Sequence, residues 1–375
     1  MLRRRRSRPE RLYVIGVPGH PNFGDEAIAR AWLRWLARHR PDAEIWLDTP
    51  NPSGASVLHQ GIHPRVVFVD TICRLGGWER EGTPQERAAG VERILDNPSL
   101  APRWMAGLEA FHTADRVHLI GGGYLTGADP VFSGLVGAVR WAHYRRGIPV
   151  AATGLGMMPM SDELIQLWRD SADAYTVLTV RDESTRTALR GVADLAPDDV
   201  FLGGTGTHVS HGGHHPRTVV VAQEDGHDRF DLLEQQVTRL LEMWGVTDDL
   251  CFVEANPPLD RRIFSALRDR WPTAGFLSFT ELMRQGLPVG GHQQWISTRY
   301  HPHLLAASQG ARGVALNVSD DYYGVKHAAV EAWGSAWPII GLHDDPVLPG
   351  DPGDLPGRSA GYSAHLRQIA ETIYS

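Results

Sequence analysis

The sequence predicts an α/β chain of two doubly wound domains facing a cleft. Three observations predict it. Strand-sized apolar runs alternate with helix-period stretches from residue 11 to beyond 340. One polar, glycine- and histidine-rich segment near residue 210 interrupts that alternation. At 375 residues the chain exceeds a typical single domain and suits two. With 42% hydrophobic and 22% charged residues it can build ordinary cores, which excludes disorder as the overall state. A net charge of -7 argues against a general nucleic-acid binder. Two cysteines, Cys73 and Cys251, make no disulfide framework and stand in no zinc spacing.

Residues 1–10 read as a basic, disordered tail. No apolar signal core follows, and no membrane-spanning run occurs, so the expected location is cytoplasmic. The arginines of the tail offer a peripheral contact with the inner face of an anionic membrane. The N-terminal domain is expected over 11–206. Its strands are 11–17, 44–48, 65–70, 117–123, 149–156 and 175–180. Helices are expected at 25–39, where Ile28, Trp32, Trp35 and Leu36 share a stripe, across 84–113 with a break at Asn97-Pro98, at 131–145 and at 161–172. Residues 207–216 read as a linker whose histidines are mobile rather than metal-binding. The C-terminal domain, 217–375, restarts the alternation. Strands are expected at 217–223, 250–256, 275–279, 294–300, 313–318 and 337–342, and helices at 231–244, at 259–270 and from about Lys326. The last helix can pack back on the chain. In such sheets ligands sit beyond the carboxyl ends of the strands.

Five segments carry chemistry. In 16–28 Asp25 is expected to cap a helix after a tight turn at Gly24, and Asn22 and Asp25 sit where a ligand would meet the strand end. Gly121, Gly122 and Gly123, followed by Tyr124, let backbone approach a ligand. In 179–185 Asp182 caps a helix and Arg181 ends a strand, either toward the cleft or in a surface ion pair. In 296–310 Pro302 fits the first helical position, which makes His301 the cap, with Arg299 just before it and Ser297 at the strand end. That arrangement invites an anion, and His301 can serve as a general acid. In 317–329 stands Lys326. Of 37 Lys and Arg residues it alone is lysine. Where any cation suffices this chain uses arginine, so the lysine marks a specific need. Trp333 and Trp337 read as core.

Together N-x-G-D-E-A-I (22–28), GGG (121–123), V-R-D-x-S (180–184), S-x-R-x-H (297–301) and D-x-Y-x-x-K (321–326) resemble the polysaccharide pyruvyl transferase family. The resemblance runs from residue 12 to about 340. It implies a GT-B-like fold of two Rossmann-like domains, the first on the acceptor side and the second on the donor side. It implies phosphoenolpyruvate as donor and a sugar of a polysaccharide or glycolipid precursor as acceptor, joined in a cyclic pyruvate ketal. It matches Arg299, His301 and Lys326 to donor-site elements, and the Asn22–Asp25 and Gly121–Gly123 turns, with Arg181, to other cleft elements. Arg181 and Ser297 are expected to assist donor binding, Tyr124 to line the acceptor loop, and Asp25 to act as base. The sequence departs from the pattern at Tyr124-Leu125-Thr126 and at His20-Pro21, on the acceptor side. No metal or organic cofactor is expected, nor nucleic acid, and a homo-oligomer is compatible with the reading. Three rivals stay open: a sugar-nucleotide glycosyltransferase, a related enzyme acting on a specialised metabolite, and a non-catalytic anion sensor.

Overall fold

A computed structural model describes residues 8–77, 81–126, 130–223 and 229–375. The arginine run at 3–6 and Gly127, beside the glycine loop, lie outside them. The chain forms two compact units. The first comprises the chain up to His20, Ile28–Leu202 and His365–Ser375. The second comprises Pro21–Ala27 and Gly203–Ala364.

The first unit is built in chain order from β1 (Arg11–Ile15), α1 (Phe23–His39), β2 (Glu44–Asp48), α2 (Pro52–His59), β3 (Val66–Val69), α3 (Thr71–Gly76), α4 (Pro84–Asp96), α5 (Met105–His112), β4 (Arg116–Leu119), α6 (Gly134–Arg146), β5 (Val150–Leu155), α7 (Asp162–Asp170), β6 (Val177–Val180), α8 (Glu183–Ala188) and β7 (Asp194–Leu195). The second continues with β8 (Thr218–Val221), α9 (Phe230–Met243), β9 (Leu250–Val253), α10 (Arg261–Leu267), β10 (Gly275–Leu277), α11 (Phe279–Gln285), β11 (Gln294–Ser297), α12 (Tyr300–Ser308), β12 (Arg312–Asn317), α13 (Val325–Ala332), β13 (Ile339–Gly341) and α14 (Leu355–Tyr374). Phe23–Ala27 of α1 group with the second unit, and from His365 onward α14 groups with the first, where Arg116 donates to the Ile373 carbonyl at 2.8 Å.

Every named strand pairing is parallel. Strand order is β3-β2-β1-β4-β5-β6-β7 in one sheet and β10-β9-β8-β11-β12-β13 in the other. Strands β5, β8 and β9 are buried along their whole length, as expected where helices cover both faces. The order reverses between β1 and β4 in the first sheet and between β8 and β11 in the second. Those reversals open the crevices in which doubly wound sheets take ligands. They also explain why the motifs lie where they do. Residues 16–22 and 120–124 follow β1 and β4, and residues 298–299 lead from β11 into α12.

The short helices α2, α3 and α11 escaped the sequence pattern because one or two turns give too few apolar repeats. Side-chain caps start two of them, α2 and α11. Asn51 accepts from the Gly54 N–H at α2, with Pro52 at the first helical position. At α11 Ser278 and Glu281 form a reciprocal capping box, which draws Phe279 out of the expected strand and into the helix. The segment expected as a linker contains a tight helical turn at Thr205–His208 and pairs Val209 with Leu287.

Candidate functional site

At the sheet reversal of the second unit, β8 ends at Val221, two residues before Gln223, and β11 ends at Ser297. Helix α12 begins at Tyr300, earlier than the sequence suggested, so Arg299 is its cap and His301 stands second inside it, with Pro302 third. The expected cap at His301 is thus corrected. Proline is tolerated anywhere in the first turn, where N–H groups lack intrahelical partners. The Ser297 hydroxyl accepts from the Arg299 N–H and donates to the Arg299 carbonyl, both at 3.0 Å, and so closes the turn.

Arg299 is 8% exposed. Its guanidinium donates to Asp260 Oδ1 at 3.1 and 2.8 Å and to the Gln223 carbonyl oxygen. The Gln223 amide in turn donates to the Tyr323 hydroxyl at 2.8 Å. Burial pushes the Asp260 carboxyl up to about 6 although Arg299 pulls it down. The Lys326 ammonium lies 3.3 Å from the centre of the Tyr322 ring and 5.8 Å from that of Tyr323. One chain of contacts therefore runs from Asp260 through Arg299, Gln223 and Tyr323 to Lys326. It brings together Arg299 and Lys326, and His301 is two residues from Arg299.

Asn22, Gly24 and Asp25 group with the second unit as well. Helix α1 begins at Phe23, so Asp25 lies in its first turn and is not the cap, a second correction. Asn22 takes the capping role: its side-chain oxygen accepts from the Gly24 N–H at 3.2 Å. The Phe23 N–H donates to Ala255 at 2.8 Å. A Cβ on Gly24 would stand 1.8 Å from Nδ1 of His301. Gly24 is glycine because an imidazole rests on its backbone, and the tight-turn explanation drops away.

The remaining expected residues belong to the first unit. Gly121 donates its N–H to Asp199 Oδ2 at 2.9 Å. Gly122, at φ 143°, bridges to Leu155 beside it. A Cβ at Gly121 would meet the Asp199 carboxylate and the Gly154 carbonyl at 3.0 Å. The glycine loop is thus an anchored extension of β4. Tyr124 turns its hydroxyl back onto the Ile120 carbonyl at 2.8 Å. Arg181 is buried against Asp198 at 2.7 Å, with exposures of 4% and 0%, so the surface ion pair weighed for it is an interior one. Asp182 caps α8 as expected, accepting from the Thr185 N–H at 2.7 Å. Trp337 is core, donating to the Ala311 carbonyl at 2.9 Å.

Asp199, Asp260 and Gln223 were missed by the sequence reading. Asp199 Oδ2 also accepts from Trp32 and Thr153, both at 2.7 Å. Burial pushes its carboxyl up to about 6. The available signal was an Asp-Asp pair (198–199) set in an otherwise apolar run. Among the described residues no group of three or more His, Cys, Asp or Glu could hold a metal ion, and no helix is long and apolar enough to cross a membrane.

Fold and site together define a two-domain, GT-B-like α/β protein with the buried Arg299–Asp260 pair at the sheet reversal of its second unit. A protein of Listeria monocytogenes assigned as a UDP-N-acetylglucosamine 2-epimerase shares this fold, with TM-score 0.51 and 11% identity over 97% of this chain and 90% of that one. The UDP-GlcNAc 2-epimerase of Neisseria meningitidis, bound to UDP-GlcNAc, matches with TM-score 0.51 and 11% identity over 96% and 91%. No curated protein matches the chain. The family model for polysaccharide pyruvyl transferases matches residues 22–320, and the chain belongs to that family.

Proposed function

We propose that this transferase moves the enolpyruvyl carbon skeleton of phosphoenolpyruvate onto a sugar of a polysaccharide or glycolipid precursor, forming a cyclic ketal and releasing phosphate. The observation that carries the reading is the contact chain joining Arg299 to Lys326 around the β8–β11 reversal, next to His301. Phosphoenolpyruvate bears a phosphate and a carboxylate and needs cations and N–H donors at short range. Lys326 and the first turn of α12 supply them. Arg299, already paired with Asp260, orients that turn and adds a fixed dipole.

In the reaction His301 delivers a proton to the donor's methylene carbon. The neighbouring carbon becomes oxocarbenium-like and is attacked by one sugar hydroxyl, whose proton passes to a base, for which Asp25 is the candidate. The bond from that carbon to the phosphate oxygen breaks, phosphate departs with its electron pair, and a second hydroxyl of the same sugar closes the ketal, its proton passing to the departing phosphate. No metal or organic cofactor enters this scheme. Specialised metabolites with paired hydroxyls fit the same chemistry as acceptors.

The test is a thermal-shift and phosphate-release screen with phosphoenolpyruvate, phosphate and nucleotide sugars. Ligand at 100 times its dissociation constant adds about 2.7 kcal/mol of stability. Stabilisation by phosphoenolpyruvate that disappears in Lys326→Ala supports the reading. Stabilisation by a nucleotide sugar alone overturns it. His301→Ala should lower phosphate release by about 10²–10⁴-fold. A loss below tenfold in folded protein removes His301 as the acid.

A further inference from the structure

Two histidines beneath the anion-oriented turn take no part in that scheme. His303 follows Pro302 in α12, and His327 follows Lys326 in α13. Both are 0% exposed. Their Nδ1 atoms are 3.1 Å apart, so one ring donates and the other accepts. The other nitrogen of His303 meets the Ser335 hydroxyl at 2.8 Å, and its ring stacks on Trp337 at 4.5 Å with planes 14° apart. Helix α12 is buried along its whole length, so this pair lies in a close-packed interior with no solvent to relax into.

We infer that the His303–His327 pair is a positioning strut that sets the spacing between α12, which carries Arg299 and His301, and α13, which carries Lys326. The inference rests on the pyruvyl-transfer reading for its consequence and on packing alone for its geometry. Apolar side chains could fill the same space, but a bond between two rings fixes distance and rotation together. Burial holds both imidazoles below their ordinary range, His327 down to about 4, with the neighbouring Lys326 adding to the effect. A neutral ring keeps one nitrogen unprotonated, which is what accepting the other ring's N–H requires.

The test uses His327→Ala, His327→Asn, Lys326→Ala and the double variant Lys326→Ala/His327→Ala. Asparagine places an amide where the imidazole Nδ1 stood. His327→Ala should lower kcat/KM for phosphoenolpyruvate at least tenfold, measured well below its unfolding temperature, and His327→Asn should restore most of it. In the Lys326→Ala background removing His327 should cost under threefold, because the residue it positions is gone. An equal loss in both backgrounds, or full activity in folded His327→Ala, overturns the inference. If wild type turns over no phosphoenolpyruvate, the reaction reading fails. The strut is then judged from a crystal structure of His327→Ala. Movement of α13 against α12 supports it, and unchanged helices overturn it.

Discussion

Replacing Gly24 by alanine separates two forces that usually act together. Gly24 lies in the first turn of α1, and local propensity favours alanine over glycine there by up to about 1 kcal/mol. Packing opposes it. The new Cβ would stand 1.8 Å from His301 Nδ1, 2.5 Å from Cε1 and 2.6 Å from Cγ. Ordinary contact begins near 3.4 Å, so the ring or the helix start must shift by about 1.5 Å. Overpacking of this kind costs about 1–3 kcal/mol. Net of the propensity gain, stability should fall by about 0–2 kcal/mol, a few degrees in Tm for a protein of this size. Activity should fall much further, because misplacing a reacting group by 1 Å can cost about 10²-fold. The assay is phosphate release from phosphoenolpyruvate with acceptor, alongside a thermal melt. A variant that melts within a few degrees of wild type and keeps a third or more of its rate would refute the placement of His301 at the reacting centre.

Lys326→Arg keeps the charge but replaces a compact ammonium with a planar fork above Tyr322, so kcat/KM should drop at least tenfold, and wild-type kinetics would remove the case for a lysine-specific role. Asp260→Asn leaves the Arg299 guanidinium buried without its counter-charge, and urea unfolding should show a loss of about 3–5 kcal/mol, partly recovered in Asp260→Asn/Arg299→Gln; a loss below 1 kcal/mol would show that the pair is not held as described. Asp199 has its folded carboxyl raised to about 6, so the folded protein holds that proton more tightly than the unfolded chain. Its contribution is therefore fully present in acid and is lost as pH rises through 6. The stability advantage of wild type over Asp199→Asn should shrink by about 1 kcal/mol per pH unit between pH 4 and 6, and a gap that stays constant from pH 4 to 7 would count against it.

Much of the fold could be read from the sequence because parallel sheets demand buried apolar runs. RLYVI, VLTV and TVVV show them without ambiguity, and so does the helix stripe of Trp32, Trp35 and Leu36. Helix starts were less legible. Pro302 suggested one boundary, yet the residue that leaves the helical region is Arg299, with ψ 134°, because the Ser297 hydroxyl closes the turn just ahead of it. Likewise Asp25 looks like a cap in isolation, whereas the neighbouring Asn22 is the one whose side chain reaches a free N–H. Partners far apart in sequence were the least legible. Nothing local to Gly24 announces His301, and nothing local to Arg299 announces Asp260 or Gln223. A sequence displays which residue types a site contains, and long-range burial decides which charges are already balanced.

That balance bears on why the only lysine stands where it does. Arg299 meets the Asp260 carboxylate and the Gln223 oxygen, so its charge is largely committed before any ligand arrives. Arginine suits that duty, since its rigid fork can hold two partners at once. The proposed donor, with two anionic groups, needs a further cation beside this pair. Lys326 is half-buried and faces the Tyr322 ring at 3.3 Å, a cation–π contact worth about 0.5–2 kcal/mol. In the proposed scheme the ammonium exchanges this ring face for an anionic group of the donor, on a stem of four rotatable bonds, while a stacked arginine would give up more contact area to move. In a chain whose every other Lys-or-Arg position is arginine, the one lysine stands over the face of an aromatic ring.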